Sequence, residues 1–260
     1  MMVAMMAAPI EEDVTIHTIE TIPGVLIWYC SNSDIVTRMF RIPCAPDFRA
    51  MRSRIFDRSS FSRTFLHPDE LADINGFKTL KKQVERICSR FLIKQLLRHT
   101  LQLENTPYPD ITIAYEDQGA PYLPGHESRS ISLSHSNDLT AGAISLNDRT
   151  RIGLDIECIE KMPDEYFLKT AFTARECDTL VREAPSIYRQ WTIKEAYLKF
   201  IKKGFNESLH QVEIVNDRIY HHGGPADVRI HSWRISSSIE NSPEYAVSLV
   251  TGDAPTTDSS

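Results

Sequence analysis

The chain lacks the features that mark several protein classes. Its 260 residues include only five cysteines, an odd number without CxxC spacing, which indicates reduced thiols and neither a disulfide framework nor a zinc site. No apolar run approaches the length needed to span a bilayer. The net charge of −6 argues against general affinity for nucleic acids, which requires a basic surface. The apolar first eight residues lack a basic start, so we expect no signal peptide and a cytoplasmic location.

The composition that is present belongs to an ordinary globular protein, with 42% hydrophobic and 25% charged residues. Strand and helix patterns occur in both halves, which predicts an α+β fold. We place one lobe at residues 11–147 and a second at 148–251. The polar or weakly patterned ends, residues 1–10 and 252–260, are predicted to be disordered.

Apolar periodicity and turn residues locate the elements. Strands are predicted near residues 14–19, 25–30, 111–115, 130–134, 139–144, 151–157, 212–215, 228–235 and 244–250. Helices are predicted near residues 76–99, 164–171, 174–183 and 186–202.

The most informative stretch is Arg151–Glu157, where apolar and polar residues alternate. This alternation predicts a strand with Asp155 and Glu157 on one face. A second stretch, Trp191–Lys199, has no Pro or Gly and places Glu195 and Lys199 four residues apart on one helix face. Together these groups could hold Mg²⁺ and a diphosphate, because Mg²⁺ takes oxygen ligands and keeps phosphates in its shell. Taken singly, outward carboxylates on a half-exposed strand are usually solvated, and a Glu and a Lys four residues apart on a helix usually form a surface pair.

Five segments in a fixed order carry a family resemblance. They are Lys81–Glu85 with Ser89 and Arg90, Ser132–Ser136, Gly153–Glu157, Phe172–Glu176, and Trp191–Ala196 with Lys199 and Gly204. In the residues of these segments and in their order, the chain resembles the 4′-phosphopantetheinyl transferase superfamily, in particular its larger, surfactin-synthetase-activating type. Two positions depart from the pattern: Gln83 stands where the family often has Arg, and Phe205 follows Gly204 where many members have a second Gly.

The resemblance implies a two-lobed monomer. Its lobes would be related by a pseudo-two-fold axis, each with a small antiparallel sheet packed on a long helix and with the active site in the cleft between them. The implied activity is Mg²⁺- or Mn²⁺-dependent transfer of 4′-phosphopantetheine from coenzyme A to a serine of an apo acyl or peptidyl carrier protein. The product would be adenosine 3′,5′-bisphosphate, and the native carrier is left open.

The resemblance also implies site residues. The metal would be held by Asp155, Glu157 and Glu195, and catalysis would involve Glu195 and Lys199. Coenzyme A would contact Lys81, Lys82, Arg90, Ser134, His135, Lys194 and Lys199. Two other functions remain open: a non-catalytic member that binds coenzyme A or a carrier protein, and a different Mg²⁺-dependent phosphate enzyme such as a pyrophosphatase.

Other polar residues have structural explanations. Thr173 and Glu176 form a capping-box pattern, so Glu176 is left out of the catalytic set. Lys94 is expected on the solvated face near the end of the first long helix. The pair His221-His222, beside Gly223-Gly224, is expected to form a hairpin loop and not a metal site.

Overall fold

The computed structural model describes residues 14–19, 22–39, 60–236 and 243–253. Its helices are α1 (Asn32–Asp34), α2 (Ser60–Phe65), α3 (Pro68–Gly76), α4 (Leu80–Thr100), α5 (Glu165–Ala171), α6 (Ala174–Thr179) and α7 (Ala184–Phe200). A π-helical turn at Ile35–Met39 follows α1, and 3₁₀ turns occupy Tyr108–Asp110, Gly204–Asn206 and Leu209–Gln211. Among the described residues, no helix is long and apolar enough to cross a membrane.

The strands are β1 (His17–Thr18), β2 (Val25–Ser31), β3 (Ala114–Tyr115), β4 (Pro121–Tyr122), β5 (Ile131–Ser136), β6 (Leu139–Ser145), β7 (Thr150–Cys158), β8 (Val212–Val215), β9 (Arg218–His221), β10 (Gly224–Pro225), β11 (Arg229–Ser236) and β12 (Glu244–Asp253). They form four antiparallel sheets, ordered β1-β2-β6-β5, β11-β12-β7, β10-β9-β8 and β3-β4. Helices and antiparallel sheets therefore confirm the α+β class.

Several predicted boundaries shift for local reasons. The helix predicted at 76–99 is divided, because Thr79 caps α4 by accepting a hydrogen bond from the Lys82 amide. The prediction that residues 252 and 253 are disordered is wrong, since β12 continues to Asp253 and pairs Gly252 with Arg151. The predicted disorder of residues 1–10 and 254–260 lies outside the described residues.

The two larger sheets, β1-β2-β6-β5 and β11-β12-β7, each pack against one long helix. Helix α4 contacts β2, β5 and β6, while α7 contacts β7, β11 and β12. Helix α7 approaches β7 most closely at Gly153, where an added Cβ would lie 2.0 Å from the Ala196 carbonyl oxygen. Glycine is required there by space, and the close approach brings the polar face of β7 under the helix.

A row of serine hydroxyls joins the two larger sheets where β5 runs beside β7. Alternate serines accept hydrogen bonds from alternate β7 amides at 2.9–3.3 Å: Ser130 from Ile152, Ser132 from Leu154, Ser134 from Ile156 and Ser136 from Cys158. We call these four residues the serine ladder. Side chains on a strand alternate between faces, so every second residue can reach the same neighbouring strand.

The two long helices each anchor a buried lysine in the same kind of setting. Lys94 of α4 donates to Glu70 at 2.6 Å, and Lys194 of α7 donates to Glu176 at 2.7 Å. Both glutamates belong to capping boxes, at the start of α3 and α6. Each ammonium also bonds two carbonyl oxygens: Phe65 and Tyr108 for Lys94, Ala171 and Leu209 for Lys194. The expectation that Lys94 is solvated is therefore wrong, because its side chain is fully buried in this polar pocket.

Candidate active site

The carboxylates of β7 are held by the serine ladder. Ser134 donates to Asp155 Oδ1 and Ser136 to Glu157 Oε2, each at 2.7 Å. Each hydroxyl has a single hydrogen, and its oxygen already accepts a β7 amide, so the hydrogen is directed to the carboxylate. Both acidic side chains are thereby fixed toward α7.

Helix α7 supplies the opposite wall of the site. Lys199 Nζ lies 2.7 Å from Asp155 Oδ1 and 3.3 Å from the Leu133 carbonyl oxygen. Glu195, one turn earlier, is buried, and its Oε1 atom has no hydrogen-bond partner. Asp155 Oδ2 is likewise buried and unpartnered. The structure therefore brings Asp155, Glu195 and Lys199 together, and their roles stay predictions.

The electrostatics show that the three carboxylates crowd one another. Burial, followed by the charge of Asp155, raises the pKa of Glu195 to about 7, and Lys199 opposes the shift. Burial and Asp155 also raise the pKa of Glu157. A negative cluster of this kind, partly neutralised by one lysine, favours a cation.

These residues fit Mg²⁺. Two buried carboxylate oxygens without partners, on Asp155 and Glu195, are hard ligands left free in a site of excess negative charge. The three acidic residues are not drawn together as a closed cage. Mg²⁺ does not require one, since it usually keeps waters and substrate phosphates among its six ligands.

A second group of predicted residues lies on the α4 side. The Glu85 carboxylate is 2.8 Å from Lys82 Nζ, 3.8 Å from Lys81 Nζ and 3.7 Å from His135 Nε2. Burial lowers the pKa of His135, and Glu85 opposes that shift. Lys82 and Lys81 remain more than half exposed, so their charges are available to an anion.

Two predicted contacts with coenzyme A have other roles in the structure. Arg90 is buried, paired with Glu70 at 2.9 Å, and donates to the Tyr115 hydroxyl at 2.6 Å. Lys194 is fully buried against Glu176, and as the neighbour of Glu195 on α7 it points about 100° away from that residue. Lys194 thus has its own buried carboxylate, whereas Arg90 shares Glu70 with Lys94, and the contacts of Arg90 and Lys194 with coenzyme A stay predictions.

Two neighbouring cavities border these groups. One, of about 220 Å³, is lined by Glu195, Lys199 and Lys202, and another, of about 380 Å³, by Lys82 and His135. They share Gly119, Pro121 and Leu133 in their walls. A larger cavity of about 540 Å³ is lined by other residues, including Val14, Trp28 and Arg98, and none of the candidate site residues borders it.

Sequence reasoning missed three contributors. Ser136 orients Glu157, Glu85 gathers the cations of α4, and Tyr115 holds Arg90. Serines at 130, 132, 134 and 136 form a period-2 pattern in the sequence, but only the packing of β5 beside β7 shows that their hydroxyls bond the β7 amides.

Comparison with known proteins identifies the family to which the chain belongs. A family model described as the 4′-phosphopantetheinyl transferase superfamily matches residues 151–250, which contain β7 and α7. "Putative 4'-phosphopantetheinyl transferase slr0495" of Synechocystis sp. is 30% identical over 67% of this chain and 72% of its own length. The chain belongs to the 4′-phosphopantetheinyl transferase superfamily.

Two further relatives agree with this membership. The 4′-phosphopantetheinyl transferase HetI of Nostoc sp. is 31% identical over 57% of this chain, and psf-1 of Bacillus pumilus is 27% identical over 54%. The matches cover 64% of each of these relatives, slightly less than two thirds of their length. The predicted family is thus confirmed.

Proposed function

We propose that this protein transfers 4′-phosphopantetheine from coenzyme A to a serine of an apo acyl or peptidyl carrier protein, releasing adenosine 3′,5′-bisphosphate. The observation that carries the proposal is the union of Asp155, Glu157, Glu195 and Lys199 between β7 and α7 in a member of this family. HetI of Nostoc sp. and psf-1 of Bacillus pumilus are both 4′-phosphopantetheinyl transferases, which supports the proposal.

Mg²⁺ would be held by Asp155, Glu157 and Glu195, with Mn²⁺ as an alternative, and when bound it would withdraw charge from the diphosphate. Glu195, directly or through water, accepts the proton of the carrier serine as the serine oxygen attacks phosphorus, a role for which a positioned carboxylate suffices. Lys199, one turn further along α7, neutralises the phosphate that leaves.

Coenzyme A would span the two neighbouring cavities. The diphosphate would lie beside Glu195 and Lys199, while the 3′-phosphate would lie near Lys82 and His135, with Lys81 at the rim. On binding, Lys82 would exchange Glu85 for the phosphate, since a point charge can serve either anion. Ser134 acts through Asp155 in this arrangement.

The matched lysine anchors support two lobes related by a pseudo-two-fold axis, at 11–147 and 148–251. Lys94 and Lys194 each tie a long helix to a capping-box glutamate and two carbonyl oxygens, a correspondence expected of a duplicated unit. The cleft would then be the seam along the serine ladder. We further propose a monomer, as the family resemblance implies, in a reducing cytoplasm, which the reduced thiols of Cys30, Cys158 and Cys177 support.

The deciding experiment combines the protein with coenzyme A, Mg²⁺ and a panel of apo carrier proteins, and weighs each carrier by mass spectrometry. A gain of one phosphopantetheine group is expected, and Glu195→Gln should strongly reduce its rate. Glu165→Gln is the matched control, since Glu165 pairs with Arg182 at the surface. Coenzyme A binding without any mass gain would support the non-catalytic alternative, and release of phosphate from pyrophosphate alone would support the pyrophosphatase.

A further inference from the structure

A cluster outside the transferase site has the composition of a transition-metal centre. Among the described residues, Glu207, His221 and His222 form the one set of three whose ligand atoms all lie within 4.8 Å of one another. Glu207 Oε2 is 3.6 Å from His221 Nε2 and 3.9 Å from His222 Nε2. In a tetrahedral zinc site with bonds of about 2.0–2.1 Å, neighbouring ligand atoms lie about 3.3 Å apart. The three atoms are therefore close to ligand spacing.

The backbone explains how adjacent histidines reach one point. Successive side chains on a strand point to opposite faces, so His221 and His222 would normally diverge. His221 ends β9, but His222 has a φ of +50° in the turn that follows. This left-handed residue brings the second ring over the first, with centroids 4.2 Å apart. The local strain thus serves to place both Nε2 atoms beside Glu207.

The protonation of the cluster also suits a metal. His222 Nδ1 lies 3.0 Å from Gln211 Oε1, which accepts a hydrogen bond from the Nδ1–H tautomer, and that tautomer leaves the Nε2 lone pair free for a metal. His221 Nε2 is a buried atom without a hydrogen-bond partner.

We propose that Glu207, His221 and His222 bind a divalent transition metal, with water as a fourth ligand on the exposed His222 side. Imidazole nitrogen selects Zn²⁺, Cu²⁺, Ni²⁺ or Co²⁺ over Mg²⁺, which prefers oxygen, so this centre is distinct from the carboxylate site. The prediction that His221-His222 forms a hairpin loop is confirmed by the pairing of His221 with Gly224. The expectation that the pair binds no metal is the part this proposal reverses.

The metal would join two separate parts of the C-terminal half. Glu207 follows the turn at Gly204–Asn206, and Gly204 and Lys202 line the cavity beside Lys199. His221 belongs to the β8–β9 hairpin and packs edge-on against Tyr197 of α7, with ring centroids 5.5 Å apart. Binding would therefore fix the segment after α7 against the hairpin.

The test is a Co²⁺ and Zn²⁺ titration of the full chain with excess Mg²⁺ present to fill the carboxylate site. We expect one equivalent of Co²⁺ to give visible d–d bands without the near-ultraviolet bands of thiolate ligation. Gln211→Ala should weaken binding by about 10–100-fold, as is typical when the partner of a metal-bound histidine is removed. His222→Gln and Glu207→Gln should weaken it further.

His210→Gln is the matched control, because His210 lies in the same 3₁₀ turn as Gln211 but contacts the Lys169 carbonyl. It should bind the metal as the wild type does. Zn²⁺ at about 100 times its Kd should raise the Tm by about 5 °C in the wild type and in His210→Gln, but not in His222→Gln. Equal affinity in the wild type, His222→Gln and Glu207→Gln, or spectra showing thiolate ligands, would overturn the proposal.

Discussion

The serine ladder offers a prediction that separates positioning of the metal carboxylates from simple stability. Ser136→Ala removes the hydroxyl that donates to Glu157 at 2.7 Å and accepts the Cys158 amide at 3.0 Å. Ser132→Ala removes an equivalent rung, which accepts the Leu154 amide at 2.9 Å but contacts no metal carboxylate. The two variants therefore form a matched pair.

The magnitude follows from the bonds that each rung makes. Either substitution leaves one β7 amide without its acceptor, which should lower the free energy of unfolding by about 1–3 kcal/mol. For a chain of this size the Tm should fall by about 2–4 °C per kcal/mol. Ser136→Ala should in addition raise the Mg²⁺ concentration for half-maximal transfer by about 10–100-fold, because Glu157 loses the group that orients it.

The assay is a Mg²⁺ titration of carrier modification for wild type, Ser132→Ala and Ser136→Ala, beside their thermal unfolding. We expect both variants to lose stability and only Ser136→Ala to need more Mg²⁺. If the Mg²⁺ requirement is unchanged in Ser136→Ala, or rises equally in Ser132→Ala, the ladder does not orient the metal ligand and the reasoning is refuted.

Three other predictions concern the proposed site and the helix that carries it. Lys82→Ala or His135→Ala should raise the KM for coenzyme A more than it lowers kcat, with the preference over 3′-dephospho-coenzyme A reduced; an unaltered preference would show that neither residue contacts the 3′-phosphate. At subsaturating Mg²⁺, turnover should rise with pH through about 7 as Glu195 loses its proton, and Glu195→Gln should abolish this rise. Lys199→Ala should lower turnover about 10²–10³-fold at every pH but leave the rise with pH in place. Lys194→Met should lower the free energy of unfolding by about 3–5 kcal/mol by leaving a buried glutamate unpaired, which chemical denaturation measures; a wild-type midpoint would contradict the structural role assigned to that lysine.

The local sequence pattern was sufficient to predict which side chains share the polar faces of β7 and α7. Period 2 placed Asp155 and Glu157 together, and period 3.6 placed Glu195 and Lys199 together, because side-chain direction follows from backbone geometry alone. The resemblance of five sequence segments to the motifs of a known family then predicted the family, which the comparisons confirm.

Tertiary structure decided how charged residues with similar patterns are used. Lys82, Arg90 and Lys94 lie along one helix, yet of these three only Lys82 stays exposed, since the other two share the Glu70 carboxylate in the interior. In the same way Lys194 is buried against Glu176 while Lys199 reaches Asp155. A buried charge needs a partner from a distant segment, so its role depends on which segments meet.

The same reason explains why the sequence did not predict the contacts that the serine ladder and the histidine pair make. Ser136 finds Glu157 only because β5 lies beside β7, and Glu207 meets His221 only because the β8–β9 hairpin folds back on the end of α7. The sequence by itself determined which side chains share a face of one element. Contacts between elements depend on packing, and packing determined which of those faces became a site.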